Sequence, residues 1–400
     1  GTAQMLAKAG YAVANIDYRL AEAAKFPGAV ADCKAAVRWL RSRANGLRID
    51  PDRIGAIGGS AGGHLAAMLA TTADGNGDVI PGPDISDAIS VAIIMGAGVD
   101  QVTRAKETPG IANQLIFFGG TLEEKPEVYA AGSPITHVSP DTAPILMLDG
   151  ELDRPGQRYP LFRDKLSRAG VPNELVVVPG AKHGQWAKPP FRDGFVSAML
   201  EYLDFYLRGP RPNRIFDGKT LTGWEGDPDW FRVEDGAIIG GHLDRVIPHN
   251  YFLATTEDYR NFELRLQVQA VAAEPGKKTN GGIQFRSERV PDTTHVKGYQ
   301  ADVGEGWWGI IYDEHRRRKP LTPKPTPEFE AELLRPGWND YHIRALDDRI
   351  EIWINGIKTA DYQEEDQEIA VSTGFIALQV HSSKHPIEIS YRDIWLKPLD

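Results

Sequence analysis

The sequence predicts two domains in tandem: a mostly parallel α/β sheet with helices on both faces, then an all-β sandwich. Three observations carry this reading. Short apolar runs alternate with helical patterns through residue 209, and period-2 alternation replaces helical spacing after Pro212. Between the two regimes lies Arg208-Gly209-Pro210-Arg211-Pro212, so 210–212 reads as a linker joining domains 1–209 and 213–400. A chain of 400 residues is long for one core, which agrees with two domains.

In order, Tyr11 to Asp17 reads as a buried strand, followed by Val30, Cys33, Val37 and Leu40 at helical spacing. Strand Ile54 to Ile57, helix Ala61 to Ala70 and strands Val91 to Met95 and Ile145 to Leu148 come next. A helix near Tyr159 to Arg168, strand Leu175 to Val178 and a helix carrying Phe195, Met199, Leu203 and Tyr206 close the first half. In the second half Phe262, Leu264, Leu266 and Val268 alternate, as do Ile350, Ile352 and Ile354. Asp235-Gly236 and Asn355-Gly356 are two-residue hairpin signals between such runs.

Composition narrows the function classes. Apolar residues make up 42 % and charged residues 25 %, a globular composition. The formal net charge of −10 argues against a nucleic-acid or anionic-membrane partner, because both need a basic field. The run Arg316-Arg317-Arg318-Lys319 is the local exception and reads as a solvated loop. The single cysteine, Cys33, leaves no material for a disulfide framework or a Cys-x-x-Cys pair and reads as buried and inert. No apolar run approaches about 18 residues, so no membrane span is expected. The chain opens on Gly1, not Met, and a periplasmic or secreted location is expected, with a leader upstream.

Gly58-Gly59-Ser60-Ala61-Gly62 sits where a buried strand ends and a helix begins, the context a nucleophile elbow requires. Ser60 is the expected nucleophile, and the backbone N–H of Ala61 an expected oxyanion donor. A nucleophilic serine needs a base, and the base an orienting acid. Strand Ile145 to Leu148 runs into Asp149-Gly150-Glu151-Leu152-Asp153, and strand Leu175 to Val178 into Gly180-Ala181-Lys182-His183-Gly184. Asp153 and His183 are the expected acid and base, with Asp149 and Glu151 as rival acids; His64 and His137 read as structural.

Residues 1–209 resemble the α/β-hydrolase esterases related to acetyl-xylan and feruloyl esterases and to the hormone-sensitive lipase group. The resemblance rests on Asp17-Tyr18-Arg19-Leu20, on Phe26-Pro27 leading into Asp32 to Leu40, on the elbow, and on Ser133-Pro134-Ile135 with the acid and base loops. It implies a carboxylic ester hydrolase needing no cofactor. Family members carry a His-Gly-Gly-Gly oxyanion loop and three further strands upstream of the point matched by Gly1. The resemblance therefore implies a fragment, with Tyr11–Asp17 either a strand-width from Ile54–Ile57 or paired to it directly.

Asn213 to Trp224 resembles the opening of the 3-keto-disaccharide hydrolase domain family, which has a concanavalin-like jelly-roll fold. Asn280 to Arg286, Gly298 to Asp302, Gly337 to Tyr341, Trp353 to Gly356 and Gly374 to His381 extend the resemblance over 213–398. It implies cleavage of glycosides already oxidised at the sugar 3-position, with Asp302, Glu314 and His381 as base or ligand residues and room for a divalent metal. Alternation adds an independent expectation. Ile283 and Phe285 face one way, so Gln284 and Arg286 face the other; Gln300 with Asp302, and Gln379 with His381, form two more polar pairs. If the pairs converge, Trp307, Trp308 and Tyr312 would wall a sugar site. The whole reads as a bacterial glycan-processing hydrolase whose partner is an acylated glycan or other carbohydrate. Two alternatives stand beside it: a non-catalytic carbohydrate-binding sandwich, or a pseudoenzyme serving adhesion.

Overall fold

The computed structural model describes residues 1–75 and 85–399, in two compact units, Gly1–Arg208 and Gly209–Asp400. The first is built on four parallel strands, β1 (Gly55–Gly59), β2 (Val91–Met95), β3 (Ile145–Gly150) and β4 (Asn173–Val178), side by side in chain order. Every residue of β2 and β3 is buried, which explains their unbroken apolar runs: helices cover both faces. Ala92, Ile94, Ile145 and Met147 pack on one face with Val30 and Val37 of helix Gly28–Ser42, Leu65 and Met68 of helix Ala61–Thr71, and Phe162 of helix Pro160–Arg168. Val91, Ile93, Leu146 and Leu148 pack on the other with Leu6 of helix Thr2–Lys8 and with Phe195 and Met199 of helix Arg192–Leu207. Each such burial stabilises by about 1.5–3 kcal/mol before entropy is counted. Because the strands are parallel, the loops after β1, β2, β3 and β4 all leave the same edge of the sheet.

One expected strand does not form. Tyr11–Asp17 has no ladder partner among the described residues, and Val13 and Ile16 are 41 % and 38 % exposed. It neither pairs with β1 nor takes part in the sheet, which ends at β1. Apolar content alone makes no strand; the backbone groups need a ladder to enter.

The second unit has two antiparallel sheets. One contains, in spatial order, Ile357–Gln363, Arg349–Ile354, Asn339–Leu346, Phe262–Ala272, Ile387–Pro398, Ala237–His242 and Phe231–Glu234, with Asn213–Arg214 pairing beside Ile387–Pro398. The other runs Ile311–Glu314, Val296–Val303, Gly281–Arg289, Gly374–Val380, Tyr251–Tyr259 and Trp224–Glu225. A single core joins their inner faces, with Leu264, Leu266, Ile343 and Ile352 meeting Ile283, Phe285, Ile376 and Leu378. This is a β-sandwich. Asp235 and Asn355 both take positive φ ahead of Gly236 and Gly356, the backbone that the hairpin signals require. Arg316 and Arg317 correct the reading of their run as a solvated loop. Arg316 donates to Asp313 Oδ1 at 2.5 Å, and Arg317 to Glu364 through two nitrogens at 2.9 Å each, all partly buried. Cys33 is buried, which pushes its thiol up to about 11.

Candidate functional sites

Ser60 stands between β1 and helix Ala61–Thr71 at φ 55° and ψ −116°, a strained backbone for a side chain. The strain is held by close packing. A Cβ on Gly58 would lie 2.0 Å from the carbonyl oxygen of Gly62, and one on Gly59 would lie 2.4 Å from the Trp186 ring. Ser60 N–H donates to Met95 O at 2.7 Å, tying the turn to the end of β2. The turn lifts the hydroxyl clear of the sheet. Ala61 follows as the first residue of the helix, where a free backbone N–H favours negative charge.

The loops after β3 and β4 supply the partners. His183 Nε2 lies 3.1 Å from Ser60 Oγ, and His183 Nδ1 lies 2.7 Å from Asp153 Oδ2. Arg158 fixes the acid by donating from Nη2 to Asp153 Oδ1 at 2.8 Å and to its backbone oxygen at 2.9 Å. Burial opposes ionisation of Asp153, but the bonds from Arg158 and His183 outweigh it and hold the carboxyl below its usual range. Of the rivals, Asp149 is fully buried and accepts from Arg158 and, at 2.5 Å, from Gly96 N–H. Its burial pushes its carboxyl up to about 6. Glu151 accepts from Gly180 N–H at 2.8 Å. Neither is bonded to His183. His64 Nε2 and His137 Nε2 contact the backbone oxygens of Gly132 and Ala131 at 2.8 and 2.7 Å.

Three further residues shape the relay. Besides Arg158, Trp186 packs edge-on to His183 with ring centroids 5.0 Å apart. Gly96, at φ 58°, would with a Cβ come within 2.6 Å of His183 Cε1. A glycine directly after a buried strand was the available signal for Gly96; Arg158 and Trp186 gave none. Ser60, Ala61, Asp153 and His183 line a cavity of about 980 Å³ whose walls include Leu20, Val99, Phe117 and Leu161 beside Arg104 and Gln114.

In the sandwich, ladder register decides which polar residues share a face. Gln284 lies opposite Gln300, Gly282 opposite both Asp302 and Gln379, Gln300 opposite Tyr312, and Gly298 opposite Glu314. Gln284, Gln300, Asp302, Gln379, Tyr312 and Glu314 therefore lie on one face of the six-stranded sheet. Gln284 donates to Gln300, and Gln300 to Asp302. Asp302 is 4 % exposed, and its burial raises the carboxyl well above the ordinary value. Gln379 is fully buried, and neither polar atom of its amide has a hydrogen-bond partner. Trp307 neighbours Tyr312 at 6.0 Å between centroids and carries the Lys324 ammonium over its ring. His381 follows the end of Gly374–Val380, with Nδ1 2.9 Å from Ser382 O.

Two expected site residues lie elsewhere. Strand Gly281–Arg289 bulges after Phe285, where the register slips by one residue against both neighbouring strands. Arg286 takes φ 47° there, and Ser287 inherits the polar face, donating to Gln284 Oε1 at 3.1 Å. Arg286 is instead 2 % exposed and donates to Arg260 O, Asp347 O and Asn261 Oδ1 at 2.8, 2.5 and 3.1 Å. It clamps two turns. Trp308 belongs to the core, 6.2 Å from Tyr341 between ring centroids, and walls no site.

The parallel sheet, the elbow after β1 and the acid and base loops after β3 and β4 are the architecture of an α/β-hydrolase. Residues 1–157 match the family model BD-FAE, and residues 211–397 match that of the 3-keto-alpha-glucoside-1,2-lyase-like domain. The chain thus carries a BD-FAE esterase segment followed by a 3-keto-disaccharide hydrolase-like domain. It is 31 % identical over 189 residues to Esterase LipC of Mycobacterium tuberculosis, covering 45 % of this chain and 46 % of that protein. It is 30 % identical over 185 residues to Ethyl acetate hydrolase of Pseudomonas putida, covering 44 % and 56 %. A solved truncated carbohydrate esterase from gut microbiota is 28 % identical with a TM-score of 0.44, covering 49 % of this chain and 74 % of that one. The chain spans about half the length of the curated relatives it matches.

Proposed function

We propose that the protein processes acylated carbohydrate: the first unit hydrolyses a carboxylic ester, and the polar face of the sandwich receives the sugar. The observation that carries this is the unbroken relay from Ser60 Oγ through His183 to Asp153 on the wall of the cavity. Ser60 Oγ attacks the ester carbonyl while His183 Nε2 takes its proton, and Asp153 holds Nδ1–H and stabilises the imidazolium. The Ala61 N–H, at the start of the helix, donates to the oxyanion in this reading. His183 then returns the proton to the leaving alcohol, and water repeats the sequence on the acyl-serine. The cavity walls join apolar side chains to Arg104 and Gln114, which suits a small acyl group attached to a polar alcohol. The BD-FAE match and the esterases among the curated relatives support the reading. A periplasmic or secreted location belongs to it, and no helix among the described residues is long and apolar enough to cross a membrane. Hydrolysis of p-nitrophenyl acetate and of acetylated xylo-oligosaccharide tests it: turnover should vanish in Ser60→Ala. Turnover that survives this change would sink it.

For the sandwich, the family match supports elimination from a 3-keto glycoside. The ketone acidifies the neighbouring C–H, His381 takes that proton, and the glycosidic substituent departs. A second reading, a non-catalytic carbohydrate-binding module, is favoured by the seal over Asp302. Release of aglycone from a 3-keto glucoside, compared between the parent and His381→Ala, separates the two.

A further inference from the structure

Glu314 of the polar face also belongs to a cluster with two histidines that the sugar reading does not use. His295 precedes strand Val296–Val303, Glu314 ends strand Ile311–Glu314, and His315 opens the turn after it. The ladder that sets Gly298 opposite Glu314 brings the start of one strand against the end of the other. Each of the three offers a ligand atom, and these atoms all lie within 4.8 Å of one another. The two imidazole rings are 4.5 Å apart, inclined at 43°. His295 Nδ1 is buried with no hydrogen-bond partner. This buried ring nitrogen stands beside a second imidazole and a carboxylate.

We propose that His295, Glu314 and His315 bind one divalent transition-metal ion of the zinc type. Two imidazole nitrogens and one carboxylate oxygen suit zinc, cobalt or manganese, whereas calcium and magnesium take oxygen shells. Bonds of about 2.0–2.2 Å require the three side chains to close in by roughly an ångström, within reach of rotamer adjustment. Three protein ligands leave positions open. Arg318 is the competing cation, with Nη2 3.3 Å from His315 Nδ1, a long contact that must yield when an ion enters. Glu314 shares its face with Gln300 and Asp302, so the open positions border the proposed sugar surface and would accept vicinal sugar oxygens. That extension rests on the carbohydrate reading; the metal site does not.

The test is calorimetric titration of chelator-stripped, tag-free protein with zinc chloride and, separately, calcium chloride, with retained metal counted by mass spectrometry. One zinc per chain is expected, with no saturable calcium binding. His295→Ala and Glu314→Gln should each weaken zinc at least tenfold, while Arg318→Ala tightens it. Melting curves of the metal-free variants that overlay the parent's establish that the loss is local, and His315→Ala serves if one variant fails to fold. Absence of stoichiometric zinc, or parental affinity in the His295→Ala/Glu314→Gln double variant, overturns the proposal. Zinc binding that persists in protein binding no sugar supports the metal site and sinks only the carbohydrate reading.

Discussion

Two constellations of polar side chains are built by opposite means. Ser60, Asp153 and His183 come from loops leaving one edge of a parallel sheet, and the reacting pair stays accessible: the His183 side chain is 47 % exposed, against 9 % for Asp153 behind it. Gln284, Gln300, Asp302 and Gln379 come from strand interiors, locked by ladder register, and all are buried. The first arrangement leaves a nucleophile free to meet substrate, with its precision coming from supports such as Arg158 and Gly96. In the second, polar groups are buried at a desolvation cost, and Gln379 has no partner to offset it. Each makes a different kind of error visible when mutated.

The largest expected effects are in the relay. Ser60→Ala or His183→Ala should lower ester turnover by about 10⁴-fold or more, and Asp153→Asn by on the order of 10⁴-fold, with thermal stability nearly unchanged. Gly96→Ala, whose Cβ would strike His183, should also lower kcat sharply while leaving the serine in place. Steady-state kinetics beside a melting curve read both. If Gly96→Ala leaves kcat intact, close packing against Gly96 is not what positions the imidazole.

The sandwich should respond the other way round. Arg286→Ala should destabilise the protein by about 1–3 kcal/mol, because it empties a buried site and removes three partly buried hydrogen bonds that tie two turns together, and it should barely change sugar affinity in whatever remains folded. Gln379→Leu should do the reverse, stabilising by about 1–3 kcal/mol through removal of an unsatisfied amide while weakening sugar binding. Denaturant unfolding and calorimetry with a 3-keto glucoside measure these. Should Gln379→Leu destabilise, the amide has a partner and the face is not waiting for a ligand.

How much of this was legible in the sequence depends on what each element needed. The elbow, the acid loop and the base loop are local, a glycine-rich turn or a short loop at a strand end, so Ser60, Asp153 and His183 could be named from order and context. Arg158 could not, because its role is to reach back onto Asp153 and Asp149 from a neighbouring turn. Period-2 alternation placed Gln284, Gln300 and Asp302 on one face. It failed at Arg286 because a single inserted residue after Phe285 exchanges the faces of everything beyond it. Tyr11–Asp17 misled for a different reason: an apolar run states a preference for burial, but only a neighbouring strand can satisfy it.

The smallest effect is one of pH. Asp149 is raised from 3.8 to about 6, chiefly by burial, so the folded state holds its proton more tightly than the unfolded chain does. The folded state is thus favoured below about pH 4, and that advantage is lost as pH rises towards 6. Asp149→Asn should flatten the stability profile over this window, as urea midpoints between pH 4 and 7 would reveal. A profile identical to the parent's would mean that Arg158 keeps the carboxylate ionised throughout.

The central claim, that Ser60 is a nucleophile activated by His183, is tested most directly by covalent capture. Folded protein treated with a fluorophosphonate should gain one adduct, located by peptide mass spectrometry on Ser60. Labelling should be abolished in Ser60→Ala and slowed by orders of magnitude in His183→Ala. An unlabelled Ser60 in protein whose melting transition is intact, or labelling at the same rate without His183, would contradict the account.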